Sequence, residues 1–265
     1  MKTNRYWAKA TRTIIADGHT KEIELLVGSN DSTGGALLRA DEVARAIQDR
    51  IDRKAKSDEY QAEIREHVHE SLGEHNVVTV NRYGALVLNT SEYTILDLDD
   101  YPFQFLDLFG ATRGRPRKEL ILERFKKRQP RHPSLGEAFR IYETTKGLRV
   151  IGKRYLSPRD LCFRKTMAHL GVDTFYTFMC RRQDCYRARL TPKPYRLSDF
   201  RTFRVRSPLD CLTQEFQVWN QEYLRLSRTC SSTRFLEAIG SDFSTDPVIQ
   251  YHDRLSGARE PHRLA

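Results

Sequence analysis

Three short β-forming runs follow one another through tight turns and constrain what this chain can fold into: Val77-Val78-Thr79-Val80, Ala85-Leu86-Val87-Leu88, and Tyr93-Thr94-Ile95-Leu96-Asp97-Leu98-Asp99. Each run is too short for a helix and rich in β-branched or apolar residues, and Arg82-Tyr83-Gly84 and Asn89-Thr90-Ser91 carry turn chemistry between them. The pattern predicts a three-stranded antiparallel meander. Further on, Phe139–Glu143 and Gly147–Arg154 predict a hairpin around Thr144-Thr145-Lys146, and Tyr186–Leu190 and residues 200–206 predict two more strands. Strands that pair locally and are interrupted by helices point to an α+β fold, not a doubly wound parallel one. The expectation is an antiparallel sheet of about six strands flanked by helices, with a helical N-terminal region.

The helical expectations come from spacing and caps. Residues 5–16 and 22–27 around Asp17-Gly18 suggest a first hairpin; Asp41 then caps a helix with Val43, Ala44, Ile47 and Ile51 on one face. That helix is expected to continue, with a break near residues 56–58, to Leu72 and to end at Gly73. Residues 103–109 predict a helix start, and residues 119–128 a short amphipathic helix closing at Gln129-Pro130. Ser157-Pro158 opens a helix running to Leu170, and another covers 173–182. Leu212, Phe216, Trp219, Tyr223 and Leu226 recur at helical spacing. The last 25 residues read as a loosely ordered surface tail. This divides the chain into an acidic N-terminal region (1–75), a basic α+β core (76–206) and a C-terminal helix with its tail (207–265), packed as one compact unit.

Charge sorts the chain by function. Residues 1–100 hold 13 Lys and Arg against 18 Asp and Glu, whereas residues 101–265 hold 32 against 17. A basic region in which Arg predominates suits a polyanion, because guanidinium groups fork onto phosphate and stack on bases. The alternatives are a solvated basic surface, or an internal interface with the acidic half, which is itself a candidate protein-binding region. Five cysteines without paired C-x-x-C spacing or nearby His read as reduced thiols. His67 and His69, two apart on an expected helix, splay to different faces and make no metal pair. No apolar run approaches the roughly 18 to 20 residues of a membrane span, and no apolar stretch follows the start. A cytoplasmic protein, neither secreted nor membrane-spanning, is expected.

Three constellations carry candidate chemistry. Asp97 and Asp99 alternate with Leu96 and Leu98, so both carboxylates share one strand face, roughly 7 Å apart, and repel unless a cation sits near them. Hard oxygen ligands so placed suit Mg²⁺ or Mn²⁺; an ordinary acidic turn is the alternative. The hairpin tip at Thr145, Lys146 and Gly147, with Arg149 two residues on, offers N–H groups and cations to phosphate, or is a plain polar turn. Arg187 and Arg189 share a strand face, with Lys193 and Arg196 in the Pro-rich segment that follows and Tyr186 and Tyr195 nearby, which suits a nucleic-acid backbone with base stacking. Arg113 and Arg115 add non-specific phosphate affinity.

Taken in order, a strand ending in hydrophobic-Asp-hydrophobic-Asp and, some fifty residues later, a small-residue turn with Gly opening another strand resemble the catalytic core of archaeo-eukaryotic primases and primase-polymerases. The resemblance spans roughly residues 77–206. It implies an RRM-like sheet and a nucleotidyltransferase in which two divalent metals align a 3′-hydroxyl with the α-phosphate of a nucleoside triphosphate. Asp97 and Asp99 would be the metal-binding pair, and Thr145, Gly147 and Arg149 the nucleotide-binding motif, although the family usually has His where Arg149 stands. A third carboxylate is expected on a later strand, with Asp199 ahead of Asp173 and Asp184. A non-catalytic nucleic-acid-binding or assembly module and a metal-dependent nuclease are the competing expectations.

Overall fold

The computed structural model describes residues 1–53, 62–99, 114–197 and 200–265. The expected helix start at 103–109, Arg113 and Asp199 lie outside them. The described residues form a mixed α+β protein with several antiparallel sheets and six helices.

The chain begins with a long hairpin, β1 (Tyr6–Ala16) and β2 (His19–Ser29), turning at Asp17-Gly18. Helix α1 (Thr33–Arg53) lies on it and buries Ala36, Ala40 and Ala44 against Ala8, Ala10, Leu25 and Val27. It starts eight residues before the expected cap at Asp41, because the Ser32 hydroxyl already accepts from Gly35 N–H at 2.9 Å. The expected continuation to Leu72 is corrected too. His67–Ser71 is a strand, β3, paired with β4 (Asn76–Val80).

The expected meander breaks at its third strand. β4 pairs with β5 (Leu86–Thr90), but β6 (Thr94–Leu98) leaves for another sheet. There it pairs with β8 (Leu148–Gly152), which pairs with β7 (Phe139–Glu143). The place beside β5 goes to β9 (Tyr186–Arg189). The strands thus divide between two four-stranded antiparallel sheets, β3-β4-β5-β9 and β11-β7-β8-β6, where β11 is Arg234–Ile239, instead of one sheet of about six. The two sheets share one core, to which Leu88, Leu96, Ile141, Val150, Tyr186 and Ala188 contribute.

Helices close this core from several sides. α2 (Arg117–Arg128) buries Leu120, Ile121 and Phe125. α3 (Phe163–Leu170) ends at Gly171 in the left-handed conformation, as expected. α4 (Thr174–Gln183) is capped by Asp173, whose carboxylate accepts from Tyr176 N–H at 2.6 Å. α5 (Gln214–Ser227) stacks Trp219 on Tyr223 at 5.0 Å. Residues 200–206 form no strand; the segment is pinned by its carbonyls and rings, as where Trp219 Nε1–H donates to the Arg201 carbonyl at 2.7 Å.

The C-terminal segment is not a loose tail. α6 (Pro247–Ser256) buries Ile249 and His252, and the end of the chain docks by parallel pairing of β10 (Cys230–Ser231) with β12 (Arg263–Leu264). Phe243, Val248, Ile249 and Tyr251 pack it into the main core, and buried polar groups such as Ser231 and Ser256 add to its anchoring. Among the described residues no helix is long and apolar enough to cross a membrane.

Candidate phosphate-binding cavity

β6 and β8 build the floor of a cavity of about 590 Å³. Their antiparallel register sets Asp97 directly opposite Arg149. Gly147 fits here for reasons of space: a Cβ would overlap the Leu98 carbonyl oxygen and lie 2.8 Å from Asp99 Cα, so only glycine lets the 144–147 turn close onto the acidic strand end. Its N–H, expected to be available to phosphate, instead donates to Thr144 Oγ1 at 3.0 Å.

β9 forms the opposite wall. Tyr186 and Ala188 point into the core, and Arg187 and Arg189 face the cavity. Tyr176 of α4 ties the walls together, with its hydroxyl 3.1 Å from the carbonyl oxygens of both Ile95 and Arg187. Lys193 and Arg196, from the Pro-punctuated segment after β9, line the same space with Thr144, Thr145 and Lys146. Residues that sequence spacing placed in three separate constellations therefore converge. Arg115 stands apart, ion-paired with Glu119 and Glu123 on the α2 surface.

The two β9 arginines differ in kind. Arg187 Nη2 donates to Glu66 Oε2 at 2.5 Å, and the same oxygen accepts from the Thr79 hydroxyl at 2.6 Å, which in turn accepts from Asn89 Nδ2 at 2.8 Å. For Arg187 the internal-interface alternative holds: its charge is met by the N-terminal acidic half. Among the described residues Arg189 forms no ion pair, Asp97 acts on it only through its field, and its Nε is buried without a hydrogen-bond partner. Burial, followed by repulsion from Arg149 and Arg196, pushes its guanidinium down to about 10. Arg149 is 6 % exposed and donates from Nη1 to the Arg189 carbonyl at 2.8 Å. Arg196 donates to Thr145 Oγ1 at 2.8 Å, so Thr145 positions a cation.

The Asp97 carboxyl is pushed up to about 6, first by burial and then by Asp99, against the opposing pull of Arg149 and Arg189. Asp97 and Asp99 are the residues that could hold a divalent cation, whose charge would relieve this crowding. Among the described residues no group of three or more His, Cys, Asp or Glu side chains is placed to bind a metal. Of the poorer third-carboxylate candidates, Asp173 is engaged as the α4 cap and Asp184 pairs with Arg159 at 3.6 Å.

Several cavity residues escaped sequence reasoning. Glu66 falls where a helix was expected. Arg82 and Tyr83 are carried on an Asx turn in which Asn81 Oδ1 accepts from Tyr83 N–H at 2.9 Å and from Ala85 N–H at 3.1 Å. Phe175, 71 % exposed, and Tyr176 and Met179 come from α4. An exposed aromatic beside a run of cations is a signal that could have marked Phe175. Among the described residues the cavity is lined by seven Lys or Arg side chains and three carboxylates, an excess of positive charge. No protein-family model, no curated protein and no solved structure matches the chain.

Proposed function

We propose that this cavity binds the phosphates of a nucleoside triphosphate and of a nucleic-acid strand, and that the protein is a metal-dependent, primase-polymerase-like nucleotidyltransferase. The reading takes the two four-stranded sheets together as a primase-like core. The observation that carries it is the convergence of the Asp97–Asp99 pair with Lys146, Arg149, Arg189, Lys193 and Arg196 around one basic cavity. Arg149 and Arg189 offer guanidinium donors to phosphate oxygens, and Lys146 at the exposed hairpin tip adds a mobile cation. Asp97 and Asp99 hold the negative charge that would retain Mg²⁺ or Mn²⁺ beside those phosphates. A cation bound there would supply Lewis-acid stabilisation of the transferring phosphate.

A second reading, a binding module without catalysis, is favoured by the lack of a third acidic ligand among the described residues. One pair of measurements separates the two. Fluorescence anisotropy with labelled single-stranded DNA and RNA and with a labelled nucleotide tests the cavity; incorporation of labelled nucleotides on primed and unprimed templates with Mg²⁺ or Mn²⁺ tests the chemistry. Incorporation that Asp97→Asn abolishes supports the enzyme. Salt-sensitive binding without incorporation leaves the binding module. No binding of any of these at low salt overturns both readings.

A further inference from the structure

His252 is a fully buried imidazole on α6, in the segment whose sequence looked least structured. Its Nδ1 lies 2.9 Å from Asp253 Oδ1 and its Nε2 3.3 Å from Arg149 Nη1. A guanidinium only donates, so Nε2 facing it is the acceptor and the ring proton sits on Nδ1, where the Asp253 carboxylate holds it. Asp253 is anchored in turn by Arg140, a fully buried side chain that donates from Nη2 at 2.8 Å and also pairs with Asp242. The imidazole is fixed from the side by Tyr142, the cross-strand neighbour of Arg149, in an edge contact at 4.9 Å. A chain of contacts thus runs from Arg140 through Asp253 and His252 to the cavity.

This chain has a consequence for Arg149. Its bonds to the Arg189 carbonyl and to His252 both fall on Nη1, so the guanidinium is gripped from one end while the side chain lines the cavity. A buried Arg beside a second Arg needs such a grip, because mutual repulsion would otherwise turn the two apart. We propose that His252, oriented by Asp253, is a positioning residue that presents Arg149 to a polyphosphate bound in the cavity. The proposal rests on the reading of the cavity as a phosphate site, and its test separates the two.

The probe is inorganic tripolyphosphate, titrated calorimetrically into wild type, Arg149→Gln, His252→Leu, His252→Gln and the Arg149→Gln/His252→Leu double variant. His252→Leu is expected to weaken binding about tenfold, a cost of about 1.4 kcal/mol. His252→Gln, whose amide oxygen can accept from Arg149, recovers most of that loss. In the Arg149→Gln background His252→Leu costs nothing more, because the two act through one contact. A His252→Leu loss that adds in full to that of Arg149→Gln, or no loss in the folded fraction, overturns the assignment. If wild type binds no tripolyphosphate, the phosphate reading of the cavity fails and takes this one with it. If binding needs Arg149 but ignores His252, only the positioning role fails. Should His252→Leu not fold, the ¹⁵N shift of His252 Nε2 decides: Arg149→Gln moves it if the contact exists, and an unmoved signal overturns the proposal.

Discussion

Asp97 and Arg149 face each other as direct cross-strand partners on β6 and β8, a carboxylate and a guanidinium at the floor of one basic cavity. The pair joins strands separated in sequence by the whole 99–147 segment. Gly147 permits the approach, and Arg189 crowds the cation from the facing wall. The energetics of these residues lead to separable expectations.

Asp97 titrates at about 6 in the fold against 3.8 in the absence of burial and neighbours. Between those values the folded chain holds a proton that the unfolded chain has lost, so this group's contribution to stability falls as pH rises from about 4 to 6. At neutral pH its ionised form costs at most about 3 kcal/mol, an upper figure because the side chain keeps some contact with water. Asp97→Asn is therefore expected to raise Tm at pH 7 and to flatten the difference across pH 4–6, as read by thermal denaturation at a series of pH values. Mn²⁺ should raise the Tm of wild type at pH 7 and leave that of the variant unmoved. A variant less stable than wild type at pH 7 would contradict the crowding of the two carboxylates.

Arg187 and Arg189 looked equivalent on one strand face, and the structure separates them. Arg187→Ala strands Glu66 without its cation and should cost about 3–5 kcal/mol, measurable by urea denaturation. Arg189→Ala removes a charge that burial and two neighbouring arginines oppose, so stability should fall by less than about 1 kcal/mol while affinity for tripolyphosphate drops. Equal destabilisation by the two substitutions would show that Arg189 has an internal partner after all.

The contrast shows what the sequence could and could not carry. Short β-branched and apolar runs between turn signals mark β4 to β9 in the sequence, and alternation gives the faces of Asp97 and Arg189, because side-chain period depends only on local geometry. Pairing depends on distant residues. β9 arrives about a hundred residues after β5 and takes the edge that a local hairpin with β6 would have used. His67 and His69 read as helical because the pattern begun at Asp41 is carried on to Leu72, yet their segment pairs with β4, with His67 opposite Val80 and His69 at a register shift. α6 does carry an apolar face, with Val248, Ile249 and Leu255 on the main core, but His252 and Ser256 are buried beside it through polar contacts and interrupt that pattern in the sequence. Glu66, the partner of Arg187, lies just before β3, in the stretch whose spacing predicts a continuing helix.

Gly147→Ala tests the contact between the turn and the acidic strand. The added methyl meets backbone at Leu98 and Asp99, which no flexible side chain can relieve. Overpacking of this kind is expected to cost about 1–3 kcal/mol and to displace Asp99 from the cavity, so the Mn²⁺ stabilisation should weaken together with Tm. An alanine variant with wild-type Tm and an unchanged Mn²⁺ response would place the turn farther from β6 than the structure does.

Phe175 is an aromatic cavity residue whose exposure fits no packing role. It sits on α4 with most of its ring in water, beside Tyr176 and Met179, and lines the cavity with Arg187 and Arg189 on the facing strand. Phe175→Ala should change stability by no more than about 0.5 kcal/mol, because little is buried there. If the ring stacks on an unpaired base, its loss should cost about 1–3 kcal/mol of single-strand affinity, a weakening of roughly fivefold or more, and leave binding of tripolyphosphate unchanged. Duplex of the same sequence should be bound more weakly than single strand by wild type and be indifferent to the substitution, since paired bases present no free face. Anisotropy titrations of labelled single-strand and duplex oligonucleotides at fixed salt read both arms, and equal losses on the two substrates would assign Phe175 to backbone contact instead of stacking.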